Sequence, residues 1–152
     1  MYEVSIAELP DGKMALIARP EGDVSFSDDH GRTWTKPVSL GIRMIAPSLQ
    51  ALKDGTLLCI HGGLTKGGLR AIFSVDGGHT WIAPDAKYGF LIDNACGYGK
   101  AAQLRDGTLF LAYLSTSGIT PEQASSNSVW CIRMRVRPDH SGIDLLPAPN
   151  RD

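Results

Sequence analysis

Three residues able to do chemistry stand beside turns of one kind. Glu3 and Arg19 flank the turn Asp11-Gly12, and Tyr98 precedes the turn Asp106-Gly107. A carboxylate can take up a proton. A phenol ionises near about 10 and needs a base before it can attack. Arginine's planar fork grips a carboxylate through two parallel hydrogen bonds, which a lysine cannot reproduce. Each has a plainer reading: Glu3 as a frayed surface residue, Tyr98 as a rim aromatic, Arg19 as a turn residue pairing with Glu21 or Asp23. All three fall at inner-strand positions near one predicted face, which favours a shared site.

Other chemistries have no motif here. Cys59, Cys96 and Cys131 lack metal-ligand spacing and read as free structural thiols. His30, His79 and His140 lie in or beside turns, and His61 ends a strand from which it could approach a central channel. No pair of histidines has metal spacing, so neither a metal nor a cofactor is expected. There is no glycine-rich phosphate loop and no exposed nucleophile elbow.

The elements that must position these residues come from a repeat. Ser27-Asp28-Asp29-His30-Gly31-Arg32-Thr33-Trp34 returns as Ser74-Val75-Asp76-Gly77-Gly78-His79-Thr80-Trp81, both copies reading Ser-x-Asp-x-Gly-x-Thr-Trp. An Asp-Gly turn between apolar runs occurs at Asp11-Gly12, Asp54-Gly55 and Asp106-Gly107. This dipeptide signals a hairpin, because both positions tolerate positive φ. The unit is therefore strand, Asp-Gly turn, strand, connection, strand, Ser-x-Asp turn, strand, the size of one propeller blade. Units are expected at about 2–40, 44–88 and 96–147, within one domain over 1–152. In the repeated octapeptide Ser27, Asp29, Gly31 and Trp34, and again Ser74, Asp76, Gly78 and Trp81, read as fold chemistry. The Asp accepts N–H groups across its own turn, the Gly supplies positive φ and the Trp packs on the blade. Asp139-His140-Ser141-Gly142 reads as a decayed third copy.

Composition agrees with an all-β domain. The chain has 43% apolar and 20% charged residues, 17 Gly and 9 Pro, and no helix-period segment competes with the strands. A net charge of −1 offers no bulk attraction for nucleic acid, and no apolar run approaches the length of a membrane span. No signal-peptide pattern opens the chain, and the compartment stays unknown. Cys131, Arg133, Arg135 and Arg137 alternate with Trp130, Ile132, Met134 and Val136. This basic stripe reads as a solvated face. A short helix is conceivable around 121–124. Three blades cannot close a ring, so missing N-terminal blades or a second copy are expected to complete it.

Repeated Asp boxes on blades resemble the sialidase superfamily, the neuraminidases with bacterial-type repeats. The run Glu3-Val4-Ser5-Ile6-Ala7-Glu8-Leu9-Pro10-Asp11-Gly12, ending at Arg19, is similar to the sialidase stretch in which a catalytic Glu opens a strand and a substrate-binding Arg follows the hairpin. Cys96-Gly97-Tyr98-Gly99-Lys100, continuing through Asp106-Gly107 to Tyr113, resembles the nucleophile strand. Three positions depart from that pattern: Gly99 stands for the usual Ser, Leu114 for an acidic residue, and Lys66 where the last arginine is expected, with Arg70 nearby.

The resemblance implies the C-terminal half of a six-bladed propeller acting as a retaining exo-α-sialidase. Tyr98 would be the nucleophile and Glu3 its base. Arg19, with Lys66 and Arg70, would bind a sialic-acid-like or other glycan. The first arginine and the acid/base Asp would sit on earlier blades, and a secreted or periplasmic setting would be usual. The alternative is a non-catalytic propeller that binds a glycan or a protein partner, which Lys66 and Leu114 favour.

Overall fold

The computed structural model describes residues 3–63, 67–85, 87–94, 98–115 and 128–147, and these contain twelve β-strands and no helix. The first sheet holds β1 (Val4–Glu8), β2 (Met14–Ala18), β3 (Asp23–Ser27) and β4 (Val38–Ser39). The second holds β5 (Met44–Ala51), β6 (Leu57–Gly63), β7 (Leu69–Ser74) and β8 (Phe90–Asp93). The third holds β9 (Gly99–Gln103), β10 (Leu109–Ser115), β11 (Ser128–Val136) and β12 (Ile143–Leu146). In each sheet the spatial order is the chain order and every pair is antiparallel. Four-stranded meanders set side by side are propeller blades, and the chain is an all-β partial β-propeller of three blades.

The hairpins form where the Asp-Gly pairs put them. Gly12, Gly55 and Gly107 take φ of 85°, 87° and 83°, a region that costs other residues a Cβ clash. Each preceding Asp closes its turn by accepting the N–H two residues on, at 3.1 Å from Lys13 and 3.0 Å from Thr56 and Thr108.

Strand alternation then sorts the core into two layers. Ala15 and Ile17 of the first blade meet Leu49, Leu57, Cys59 and Ile72 of the second. The opposite face of the second blade, with Leu58, Ile60 and Phe73, meets Leu109, Leu111 and Met134 of the third. The middle blade is covered on both sides, so β6 and β7 are buried throughout and their sequences do not alternate. Each large apolar side chain buried this way contributes about 1.5–3 kcal/mol.

The second sheet runs past residue 88. After Trp81 the chain makes only an isolated bridge between Phe73 and Ile82, and the paired outer strand is β8. The basic stripe on β11 is matched by acids: Arg133 binds Asp106 at 2.7 Å, while Arg135 and Arg137 bind Asp144 at 3.1 and 2.7 Å. Cys59 is buried, which pushes its thiol up to about 12, and Cys131 is exposed; neither forms a disulfide. Residues 121–124 and Cys96 lie outside the described residues.

Candidate active site

The inner strands lie against one another, β1 against β5 and β5 and β6 against β9. Where their ends converge there is a hollow of about 310 Å³. Its polar lining includes Glu3, Ser48, Tyr98 and Lys100, and its apolar lining includes Val4 and Pro47. Glu3 and Tyr98, distant in sequence and on different blades, therefore share one cavity.

Glu3 sits one residue before β1, where the ladder continues through a hydrogen bond from Arg19 N–H to Glu3 C=O at 3.0 Å. The β1–β2 register places Glu3 directly opposite Arg19, so a spacing read from sequence becomes a cross-strand pair. Arg19 Nη1 donates to Glu3 Oε2 at 3.1 Å, with both side chains about a quarter exposed. The backbone N–H of Ala46 donates to the same oxygen at 2.7 Å. Ser5 Oγ accepts from Leu49 N–H at 2.9 Å, so Glu3 and Ser5 satisfy the free edge of β5 at two points. Among the described residues no hydrogen bond reaches Glu3 Oε1.

Ala46 belongs to an irregular stretch of β5. The pairing with β6 shifts between Ile45 and Ser48, and Ala46 has φ 46°, in the left-handed region that alanine seldom occupies. Pro47, which has no N–H for a ladder, follows it at the bulge.

Tyr98 precedes β9 and is 62% exposed. Tyr113, on the neighbouring strand, has the opposite environment. It is 4% exposed, its hydroxyl donates to Asp93, and burial together with that carboxylate raises its ionisation above the usual phenol range. Gly99 has a packing reason: a Cβ there would sit 3.0 Å from Leu69 Cδ1 and 3.2 Å from Ile60 and Leu111. Leu114 is exposed on β10, paired with Val129.

Among the described residues the remaining candidate cation, Arg70, does not line the hollow. Arg70 is on β7, 9% exposed. Its guanidinium donates to the carbonyls of Gly67 at 3.1 Å and Gly89 at 3.3 Å and lies 5.6 Å from the Tyr88 ring centroid. Lys66 lies outside the described residues. His61 is wholly buried on β6 rather than at a channel; its Nδ1 is 3.2 Å from the Gly62 carbonyl, and Nε2 has no partner among the described residues. Burial lowers its pKa to about 4. Among the described residues no cluster of His, Cys, Asp and Glu could hold a metal.

The two Ser-x-Asp turns lie at the β3–β4 and β7–β8 connections. In the first, Asp29 accepts from Thr33 N–H at 2.8 Å, Thr33 Oγ1 at 2.6 Å and Ser27 Oγ at 2.8 Å, and Ser27 Oγ accepts from Gly31 N–H at 2.9 Å. In the second, Asp76 and Ser74 make the same set with Thr80 and Gly78. Trp34 and Trp81 each donate an indole N–H to the carbonyl of the turn glycine, Gly31 at 3.1 Å and Gly78 at 2.9 Å. The Thr33 hydroxyl and N–H hold the Asp29 carboxyl down to about 2. For Asp76, burial opposes the shift, but the Thr80 and Ser74 bonds outweigh it and the carboxyl again falls to about 2. These side chains are spent inside their own turns.

No protein-family model matches the chain, nor does any curated protein sequence. Solved structures do. A protein of unknown function from Dyadobacter fermentans is 20% identical with a TM-score of 0.61, over 93% of this chain and 52% of that one. The GH93 α-L-arabinofuranosidase of Fusarium graminearum, solved with arabinobiose, is 20% identical with a TM-score of 0.57, over 86% and 44%. The intramolecular trans-sialidase of Ruminococcus gnavus, solved with oseltamivir carboxylate, is 17% identical with a TM-score of 0.54, over 90% and 27%. The chain thus spans about half or less of the structures it matches, and at these identities the likeness is one of fold.

Proposed function

We propose that these blades carry the nucleophile and its base for a retaining glycoside hydrolase of exo-α-sialidase type. The observation that carries this reading is the shared hollow: Glu3 and Tyr98 line one cavity where the inner strands of all three blades converge. Glu3 takes the phenolic proton on Oε1 while the Tyr98 oxygen attacks the anomeric carbon and the bond to the leaving-group oxygen breaks. A phenol suits a sugar whose anomeric carbon bears a carboxylate, because an anionic nucleophile would be repelled there. Water, giving its proton to the group that protonated the leaving group, then displaces the tyrosine, Glu3 returns the proton to the phenolate, and the anomeric configuration is retained. The acid that protonates the leaving group belongs to further blades, from the same polypeptide or a second copy.

The test is Tyr98→Phe in the full-length protein, assayed with a fluorogenic sialoside. Loss of the nucleophile lowers kcat by about a thousandfold or more, and Tyr98 is exposed enough for the variant to fold. Release at the unaltered rate removes Tyr98 from the mechanism. One observation favours a second reading, a propeller that binds a glycan without cleaving it: Arg19 is engaged by Glu3. In that reading the full-length protein retains the sialoside and releases no fluorophore.

A further inference from the structure

The contacts around Glu3 give Arg19 a different task from gripping substrate. We infer that Arg19 and the bulge at Ala46 form a cradle that positions Glu3, and that Arg19 is a positioning residue rather than the clamp for a sugar carboxylate. This rests on the glycosidase reading for what Glu3 does, but the cradle itself stands on geometry. Two donors from two blades converge on one oxygen, Arg19 Nη1 at 3.1 Å and Ala46 N–H at 2.7 Å. Hydrogen bonds to a charged acceptor are the stronger kind, and two on Oε2 fix the plane of the carboxyl group. Oε1, without a partner among the described residues, is left as the oxygen that can serve Tyr98 across the hollow.

The backbone at Ala46 supports the assignment. A regular β5 would carry no positive φ, and an alanine at φ 46° is strained. The bulge turns the Ala46 N–H out of the ladder with β6 and onto the side chain of another blade. Strain of this kind persists where the surroundings over-determine it, and here it orients a functional carboxylate before any sugar arrives. With Arg19 occupied, the cation lining the hollow among the described residues is Lys100, a single point charge in place of a fork.

Two measurements test the cradle, and only one needs turnover. Amide exchange at Ala46, followed by NMR in the full-length protein and in its Glu3→Ala variant, is expected to accelerate at least tenfold when its acceptor is removed. Unchanged exchange overturns the cradle whether or not the protein is an enzyme. In the full-length protein, Arg19→Met is expected to lower kcat tenfold or more on a fluorogenic sialoside while KM stays within twofold, with partial rescue of kcat by Arg19→Lys. A tenfold rise in KM at unaltered kcat makes Arg19 a substrate clamp and overturns the inference. If wild type releases no fluorophore while Ala46 exchange responds, the cradle is supported and the glycosidase reading alone fails.

Discussion

His61 gives the fold a dependence on pH that can be worked out from its surroundings. It is wholly buried on β6, and its Nε2 has no partner among the described residues. Burial does most to lower its pKa from 6.5 to about 4. Its bond to Gly62 opposes the shift, and the positive charge of Arg70, opposite it in the ladder, adds to it. The folded state therefore binds the proton more weakly than the unfolded chain. The stability due to neutral His61 is complete above pH 6.5, declines as pH falls toward 4, and levels off below that. At roughly 1.4 kcal/mol per pKa unit, the loss is on the order of 1 kcal/mol at pH 5.5 and 2–3 kcal/mol at pH 4.5. Domains of this kind have only about 5–15 kcal/mol in total. Urea unfolding of wild type and His61→Phe at pH 7, 5.5 and 4.5 measures it. The variant is expected to lose on the order of 2–3 kcal/mol less than wild type between the first and last pH. Equal losses in the two proteins refute the reasoning, whatever the variant's stability at pH 7.

Further acid should reach the Ser-x-Asp turns. Asp29 and Asp76 are held down to about 2, so they stabilise the fold above pH 3.8 and lose that contribution as pH falls toward 2; Thr80→Val should flatten the unfolding curve in that window and leave the His61 window unaltered. Phe73→Ala removes a wholly buried ring stacked 5.6 Å from Phe90, and chemical denaturation should show a loss of about 3–5 kcal/mol. Gly99→Ser presses a Cβ to 3.0 Å from Leu69 Cδ1 and should cost about 1–3 kcal/mol by the same measurement. Ala46→Gly keeps the N–H that Glu3 accepts and relieves the positive φ; thermal unfolding should show a Tm equal to or above wild type, and residue 46 should keep its slow exchange.

The blades were legible because their signals are local. Asp-Gly demands its turn, and the turn sets the register that carries Glu3 opposite Arg19 and Val4 opposite Ala18. The same register places Gly99 opposite Tyr113 on the third blade and leaves Tyr98 just beyond the ladder, at the hollow. What escaped the sequence was which partners each cation takes inside its own blade. The guanidinium of Arg19 looked like a ligand-binding group, and only the fold shows a carboxylate already beside it. Arg70 has the same chemistry on paper and is consumed by two backbone carbonyls and the face of Tyr88. The bulge at Ile45–Ser48 did leave a trace, since Pro47 inside a strand pattern marks a break in the ladder. The late outer strand β8 left none: the unit read as ending near residue 88, and between Trp81 and that point the chain makes only the Ile82 bridge.

The central claim is that the Tyr98 oxygen becomes covalently bonded to a sugar. Incubating the full-length protein with a fluorinated sialosyl donor, which forms the intermediate readily and hydrolyses slowly, tests it by peptide mass spectrometry. The account predicts one sialosyl adduct on Tyr98, lost in Tyr98→Phe. Turnover of the donor with no adduct on Tyr98, or with the adduct on another residue, contradicts it.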